Sequence, residues 1–323
     1  MVDKSNGKEI PVVFAIDDNY APFLSVSIQS IIENASQDFY YKIFILNTGI
    51  EKANQNLLSG MSEKCAPNVS VEFVDVADRM SEIGDKLHLR DYYTNAIFYR
   101  VFIPSLFPGY EKILYADSDI VFTEDVSKLF EENLDGYVFG VTRDEIVPTI
   151  PSFADYVEQF LGLNRNDYFN SGLLLFNSKE YKKQNVEHRF IEYMLKYKFE
   201  IAPDQDCLNV LCIDSVKYIN PKWNKTPMPE LVAGEKGKEL KAIHFKMKFR
   251  PWKYDDILYQ DVFWKYATKT PYYDMLLDMR SKTTAEDKLN DEKAFLRLIG
   301  MAKDIIESDK NFLRLQKANA KRG

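Results

Sequence analysis

Short apolar segments rich in β-branched and aromatic residues alternate with stretches of helical periodicity through the first half of this chain, and that alternation is the pattern of an α/β sheet with helices on its faces. Pro11 to Ile16 predicts a first strand, and the helix after it gathers Leu24, Ile28, Ile31 and Ile32 on one face. Lys42 to Leu46, Val69 to Val76 and Lys112 to Tyr115 predict the next three strands, with helices near Ala53 to Lys64 and Thr94 to Phe102 between them. Gly136 to Val141, Gly172 to Phe176 and Val216 to Ile219 are further strand candidates, and Val186 to Tyr197 a further helix. The expectation is one α/β domain over residues 1–252 and a helical region over 253–323. In the latter Phe295, Leu298, Ile299, Ala302, Ile305 and Ile306 form an amphipathic stripe.

With 323 residues, 46% of them apolar, there is enough chain for one large core. The net charge of −7 argues against a nucleic-acid surface, which needs dense Lys/Arg patches, so a polyanionic ligand calls for a local device such as a metal ion. Cys65, Cys207 and Cys212 are odd in number and lack metal-ligand spacing, which suits buried thiols in a reducing compartment. Met1 to Glu9 is polar, and no apolar run approaches the ~20 residues of a membrane span. The expectation is a cytoplasmic protein, peripheral to the inner face of a membrane if its C-terminus docks there. From Lys310 the tail carries five basic residues and no acidic one. It reads either as a packed terminal helix with a solvated end or as an interfacial helix drawn to anionic lipid.

Asp117 and Asp119 stand at the end of an apolar strand, between Ile113-Leu114-Tyr115 and Ile120-Val121-Phe122. If the strand persists, both carboxylates leave one face, roughly 7 Å apart. Two hard carboxylates on one side suit Mg²⁺ or Mn²⁺, which in turn can hold a diphosphate. Strand C-termini are where open α/β sheets bind ligands. The spacing alone is weak, because Asp204-Gln205-Asp206 repeats it. His244 ends the short strand-like segment Lys241-Ala242-Ile243, and an imidazole joining the pair would favour Mn²⁺ over Mg²⁺. His88 and His188 lie in charged surroundings and read as surface residues. Asp17-Asp18-Asn19-Tyr20 marks the junction of the first strand and helix, either as a ligand-facing edge or as a helix cap through Asp18 or Asn19. Gly136, Gly172 and Asn170-Ser171 are equally compatible with ordinary turns.

Five stretches together resemble glycosyltransferase family 8, which includes bacterial lipopolysaccharide galactosyl- and glucosyltransferases and glycogenin. They are Phe14 to Ala21, Leu114 to Asp119, Tyr168 to Gly172, Asp204 to Asp206 with Leu208-Asn209, and His244-Phe245 followed by Pro251-Trp252. The resemblance implies a glycosyltransferase A-type fold, a Rossmann-like mixed sheet flanked by helices, with UDP lying across the strand C-termini. Asp17, Asn19 and Tyr20 look like the uridine-binding set, and Asp117, Asp119 and His244 like the Mn²⁺ ligands. Ser118 between the aspartates, and Arg250, would face the diphosphate. By the same likeness Arg100, Asn170, Asp204 and Gln205 line the donor-sugar pocket, and Asp144 sits near the acceptor or the transferred hexose.

The implied activity is retaining transfer of galactose or glucose from a UDP-sugar to a saccharide acceptor, as in cell-surface glycan synthesis. Gln205 stands where a nucleophile would be sought, and a neutral amide is a poor one, so front-face attack is expected, with Asp204 the alternative nucleophile. Met247 and Arg250 replace the family's usual Gly and Lys. Arg250 can still clamp phosphate with its fork, whereas a side chain at 247 strains the loop if its backbone needs positive φ. A nucleotidyltransferase would carry a Gly-rich phosphate loop near its N-terminus, and Ile16 to Ala21 has no glycine. A sugar-nucleotide-binding scaffold of weak activity is the other alternative.

Overall fold

A computed structural model describes residues 8–81, 96–229, 240–309 and 311–320, apart from the side chains at 64, 65 and 318–320. Five of the expectations above fall wholly or partly outside this range: the start of the helix at Thr94, His88, the Cys65 side chain, the first residues of the chain and part of the basic tail.

Among the described residues there are nine strands: β1 (Lys8–Ala15), β2 (Phe39–Asn47), β3 (Val69–Asp75), β4 (Lys112–Ala116), β5 (Ile120–Phe122), β6 (Phe139–Arg143), β7 (Phe169–Asn177), β8 (Val216–Tyr218) and β9 (Ala242–His244). Seven form one mixed sheet in the order β3-β2-β1-β4-β7-β6-β8, and β5 pairs with β9 in a small second sheet. The β3-β2-β1-β4 half is parallel, while β7 runs antiparallel to both β4 and β6. This is the mixed, helix-flanked sheet expected.

Side-chain alternation in the strands builds two cores, one on each face. Val12, Phe14, Ile43, Ile45, Leu114 and Leu173 point into one, and Val13, Phe44, Ile113, Tyr115 and Leu174 into the other. The first face is covered by α1 (Ala21–Asn34), which is buried nearly all round rather than along the single stripe its periodicity predicts. The reason is a second cover: α2 (Gln260–Ala267) adds Phe263, Tyr266 and Ala267 to the same core. A helix enclosed by a sheet and another helix can be apolar on both sides.

On the opposite face lie α3 (Pro203–Cys212) and α4 (Ala285–Glu307). The predicted stripe of α4 is spent there: Ala302, Ile305 and Ile306 are buried, and Phe295, Leu298 and Ile299 pack beside them. Cys207 and Cys212 are buried free thiols. Among the described residues no helix is long and apolar enough to cross a membrane.

Two local expectations are corrected. The strand does not persist through Asp117-Ser118-Asp119: β4 stops at Ala116, the pair occupies a turn, and β5 restarts at Ile120. The turn is closed by Ile120 N donating to Asp117 O at 3.2 Å. Gly172, by contrast, lies inside β7 and is no turn residue.

Candidate active site

Parallel pairing of β1 with β4, with Val13 opposite Tyr115, brings the C-terminal ends of both strands to one edge of the sheet. Asp17 and Asp117 follow those ends, so two polar junctions far apart in sequence become neighbours. Between them opens a cavity of about 160 Å³ lined by Asp17, Tyr20, Arg100, Asp117, Ser118 and Asp119 together with Ile16 and Tyr115. Asp17, not Asp18 or Asn19, caps the first turn, with Oδ1 accepting from Asn19 N at 2.9 Å. Asp18 instead accepts from Glu51 N and Asn54 Nδ2. Asn19 is exposed and absent from the cavity wall, so the structure separates it from Asp17 and Tyr20.

One ligand atom from each of Asp117, Asp119 and His244 falls within 4.8 Å of the other two. The turn does this where a continued strand would not, and antiparallel pairing of Ile120 with His244 sets the imidazole opposite it. Tyr115 donates to Asp117 Oδ1 at 2.7 Å, and Arg100 Nη2 approaches the same oxygen at 3.0 Å. Asp117 Oδ2 is thereby left toward His244 Nε2, 3.8 Å away. Asp119 Oδ1 lies 3.1 Å from that nitrogen yet is buried without a properly oriented hydrogen bond.

Two carboxylate oxygens and an imidazole nitrogen crowding one point fit a divalent cation, and a buried unpaired carboxylate oxygen is costly without one. Space for the cradle depends on Gly172. A Cβ there would stand 2.5 Å from His244 Cε1 and 2.7 Å from Asp117 Oδ2. Burial works to raise the Asp119 carboxyl, but the His244 ring and, after it, the Arg250 charge hold it below the ordinary range.

A second cluster adjoins the first. Asp144 Oδ2 accepts from Asn170 Nδ2 at 2.9 Å and Gln205 Nε2 at 3.3 Å, while Lys246 Nζ is 3.2 Å away. Its Oδ1 takes the backbone N–H of Ile146 and Val147. Burial opposes ionisation, yet the Lys246 ammonium and these donors hold Asp144 at about 2. Gln205 Oε1 is fixed by Asn170 Nδ2 and Ser171 N, at 3.0 and 2.9 Å. Asp204 is raised by burial, against the pull of Arg100 and the Ser171 hydroxyl.

Arg100, 5% exposed, joins the clusters: one arm meets Asp117 and the other lies 3.3 Å from Asp204 and donates to Ser171 O. Burial alone would lower its ionisation, but Asp117, Tyr115 and Asp204 keep it charged. Met247 has φ of +57°, so the left-handed loop anticipated for that position exists and a side chain occupies it. Its side chain walls a second cavity of about 110 Å³ with Asp144, Gln205, Ile146 and Leu298.

Tyr115 and Ser171 lie inside sequence motifs that give them no role of their own, Lys246 falls between Phe245 and Met247 with nothing to single it out, and Asn224, which contacts His244, lies in a loop with no pattern to flag it. His188 is exposed on a helix beside Glu192.

The chain is 28% identical over 283 residues to general stress protein A of Bacillus subtilis (strain 168), covering 81% of this chain and 94% of that one. It is 28% identical over 223 residues to a lipopolysaccharide 1,2-glucosyltransferase of Escherichia coli, covering 66% of this chain and 61% of the relative. Among solved structures, the galactosyltransferase LgtC in complex with donor and acceptor sugar analogues superposes with a TM-score of 0.66 at 22% identity, over 81% of this chain and 96% of that one. The bifunctional WbbM apo structure superposes at 0.74 and 24% identity, over 87% of this chain but 53% of that one. At these identities the two structures bear on the fold. The sequence profile of glycosyl transferase family 8 matches residues 11–256, a span that contains both clusters, and the chain belongs to that family.

Proposed function

We propose that this glycosyltransferase moves galactose or glucose from its UDP ester to a saccharide hydroxyl with retention at the anomeric carbon, using Mn²⁺ or, less favourably, Mg²⁺. The observation that carries the reading is the convergence of Asp117, Asp119 and His244 on one point beside the cavity that Asp17 and Tyr20 line. All the side chains involved precede residue 253, so we assign catalysis to residues 1–252 and leave 253–323 as a packed helical region.

Asp117, Asp119 and His244 would hold a divalent ion, which would supply Lewis-acid stabilisation to the departing diphosphate. Arg250, whose charge reaches Asp119 and Tyr20, is placed to add a guanidinium to the same oxygens. Asp17 and Tyr20, which line the same cavity, bind uridine. Arg100 grips Asp117 and Asp204 together, so nucleotide and hexose are held by one rigid unit. Asn170 and Gln205 orient the hexose.

Gln205 is a neutral amide with its oxygen already hydrogen-bonded, and Asp204 is occupied by Arg100 and Ser171. Neither is a free nucleophile, which favours front-face attack in which the leaving phosphate takes the acceptor's proton. Asp144, ionised and filled with donors, positions the sugars and is not a base. The direct test is UDP release from UDP-galactose and UDP-glucose with Mn²⁺, with Mg²⁺ and with chelator. Metal-dependent release with a preferred hexose is expected; tight binding with no turnover would instead support a scaffold.

A further inference from the structure

Asn224 belongs to none of the motifs, yet it connects the two clusters, and its orientation follows from a group whose role is fixed. The Gly172 backbone N–H can only donate, and its acceptor at 3.0 Å is Asn170 Oδ1. That atom is therefore the oxygen, and the Asn224 atom 2.9 Å from it has to be Nδ2. Asn224 Oδ1 then faces His244 Nδ1 at 2.8 Å. An amide oxygen only accepts, so Nδ1 carries the proton, and a neutral ring with its N–H there has a bare lone pair on Nε2.

The far end of the relay gives the same orientation. Asn170 Nδ2 donates to the Asp144 carboxylate and to Gln205 Oε1, which is itself fixed by Ser171 N. His244, Asn224 and Asn170 are 2%, 4% and 6% exposed, so water is not at hand to replace a lost partner.

We propose that Asn224 is a positioning residue: its side-chain oxygen sets the His244 tautomer so that Nε2 is free for a divalent cation, and its amide nitrogen ties that ring through Asn170 to the hexose-side cluster. The metal part of this rests on the reading of Asp117, Asp119 and His244 as cation ligands. Ligand imidazoles are oriented in this way by a second hydrogen bond, whose loss costs about 10–100-fold in metal affinity.

Two measurements test it. The first is a ¹⁵N–¹H correlation spectrum of the imidazoles in metal-free protein, with the His244 signal identified among the three histidines by its absence in His244→Gln. A proton on Nδ1 is expected whether or not the metal-free ring also holds one on Nε2, and a bare Nδ1 with the proton on Nε2 overturns the proposal without any substitution at Asn224. The second is Mn²⁺ titration read by the paramagnetic resonance of the free ion, with no sugar nucleotide present. Asn224→Leu, similar in size but without an acceptor, is expected to bind Mn²⁺ about 10–100-fold more weakly, whereas Asn224→Asp, which keeps an oxygen for Nδ1, stays much closer to the parent. Parent-like affinity in Asn224→Leu, or equal weakening in both variants, overturns it. A parent protein that binds no Mn²⁺ while showing the expected tautomer undoes the metal reading and leaves the tautomer assignment standing.

Discussion

The same three-residue spacing occurs twice around this site, as Asp117-Ser118-Asp119 and as Asp204-Gln205-Asp206, and the two copies do opposite things. The first lies in a turn after β4, so its carboxylates converge on one point with His244. The second lies in the first turn of α3, where residues two apart project about 200° from each other. Asp204 accordingly faces Arg100 and Ser171 at the site, while Asp206 turns away and accepts from Tyr168 and Tyr156 at 2.6 and 2.8 Å. Two acidic residues with one between them make a cation site only where the backbone lets both point one way.

Removing one carboxylate from each copy separates these roles, and the largest effect belongs to the first. Asp119→Ala is expected to lose Mn²⁺ binding and to lower metal-dependent UDP release by about 10³-fold, roughly 4 kcal/mol of barrier, with a nearly unchanged melting temperature. The substitution relieves an unpaired buried oxygen rather than breaking a packing contact. If this variant binds Mn²⁺ like the parent, the turn is not the cation site.

Asp206 predicts a stability effect, with a sign set by pH. Burial raises its carboxyl to about 7, against the bonds from Tyr168, Ala202 and Tyr156. The folded protein therefore holds a proton that the unfolded chain has already released above its ordinary value of 3.8. Asp206's contribution is fully present below that value and is lost as pH rises through about 7, amounting to about 4 kcal/mol at most. Asp144 titrates at about 2 and lies outside this window. Denaturant midpoints at pH 5 and pH 8 should fall more in the parent than in Asp206→Asn; equal slopes would remove Asp206 as their source.

The contrast also shows what a linear reading can reach. β1 and β4 were legible because uninterrupted apolar runs end in polar residues, and ligands gather at such ends. The set Asp117, Asp119 and His244 followed from that placement and the family likeness. The turn at Asp117 to Asp119 was not legible, because flanking apolar residues on both sides mimic one long strand. Nor was the split of Asp204 from Asp206, since a short polar run does not announce a helix. Lys246 acts on Asp144 across 102 positions and Asn224 on Asn170 across 54, separations at which only the folded chain says who meets whom.

Gly172→Ala sharpens the comparison without replacing a carboxylate. The new methyl would lie 2.5 Å from His244 Cε1, 2.7 Å from Asp117 Oδ2 and 2.9 Å from Asn170 Oδ1. Overpacking of this kind costs about 1–3 kcal/mol, and the groups that have to yield are the ones that would hold the ion. Mn²⁺ affinity in the titration is expected to fall about tenfold, while the pH 5 to pH 8 stability slope, which belongs to Asp206, stays as in the parent. Unchanged affinity would mean that the cradle has slack its distances deny.

Met247→Gly carries the smallest effect and probes the other side. A methionine at φ of +57° bears the cost of a left-handed backbone, about 1 kcal/mol, which glycine does not. Against that, glycine loses about 0.5–1 kcal/mol through its freer unfolded chain, along with whatever the half-buried thioether contributes by packing. Terms of opposite sign and similar size leave a net change within about 1 kcal/mol in either direction, a melting shift of about 1–2 °C for a chain of 323 residues. The side chain walls the cavity shared by Asp144, Gln205 and Asp206, not the one beside Asp119. Mn²⁺ affinity should accordingly stay at the parent value while the choice among acceptor sugars shifts. A large loss of Mn²⁺ affinity would mean that the loop's backbone, rather than the side chain it presents, is what the cation site depends on.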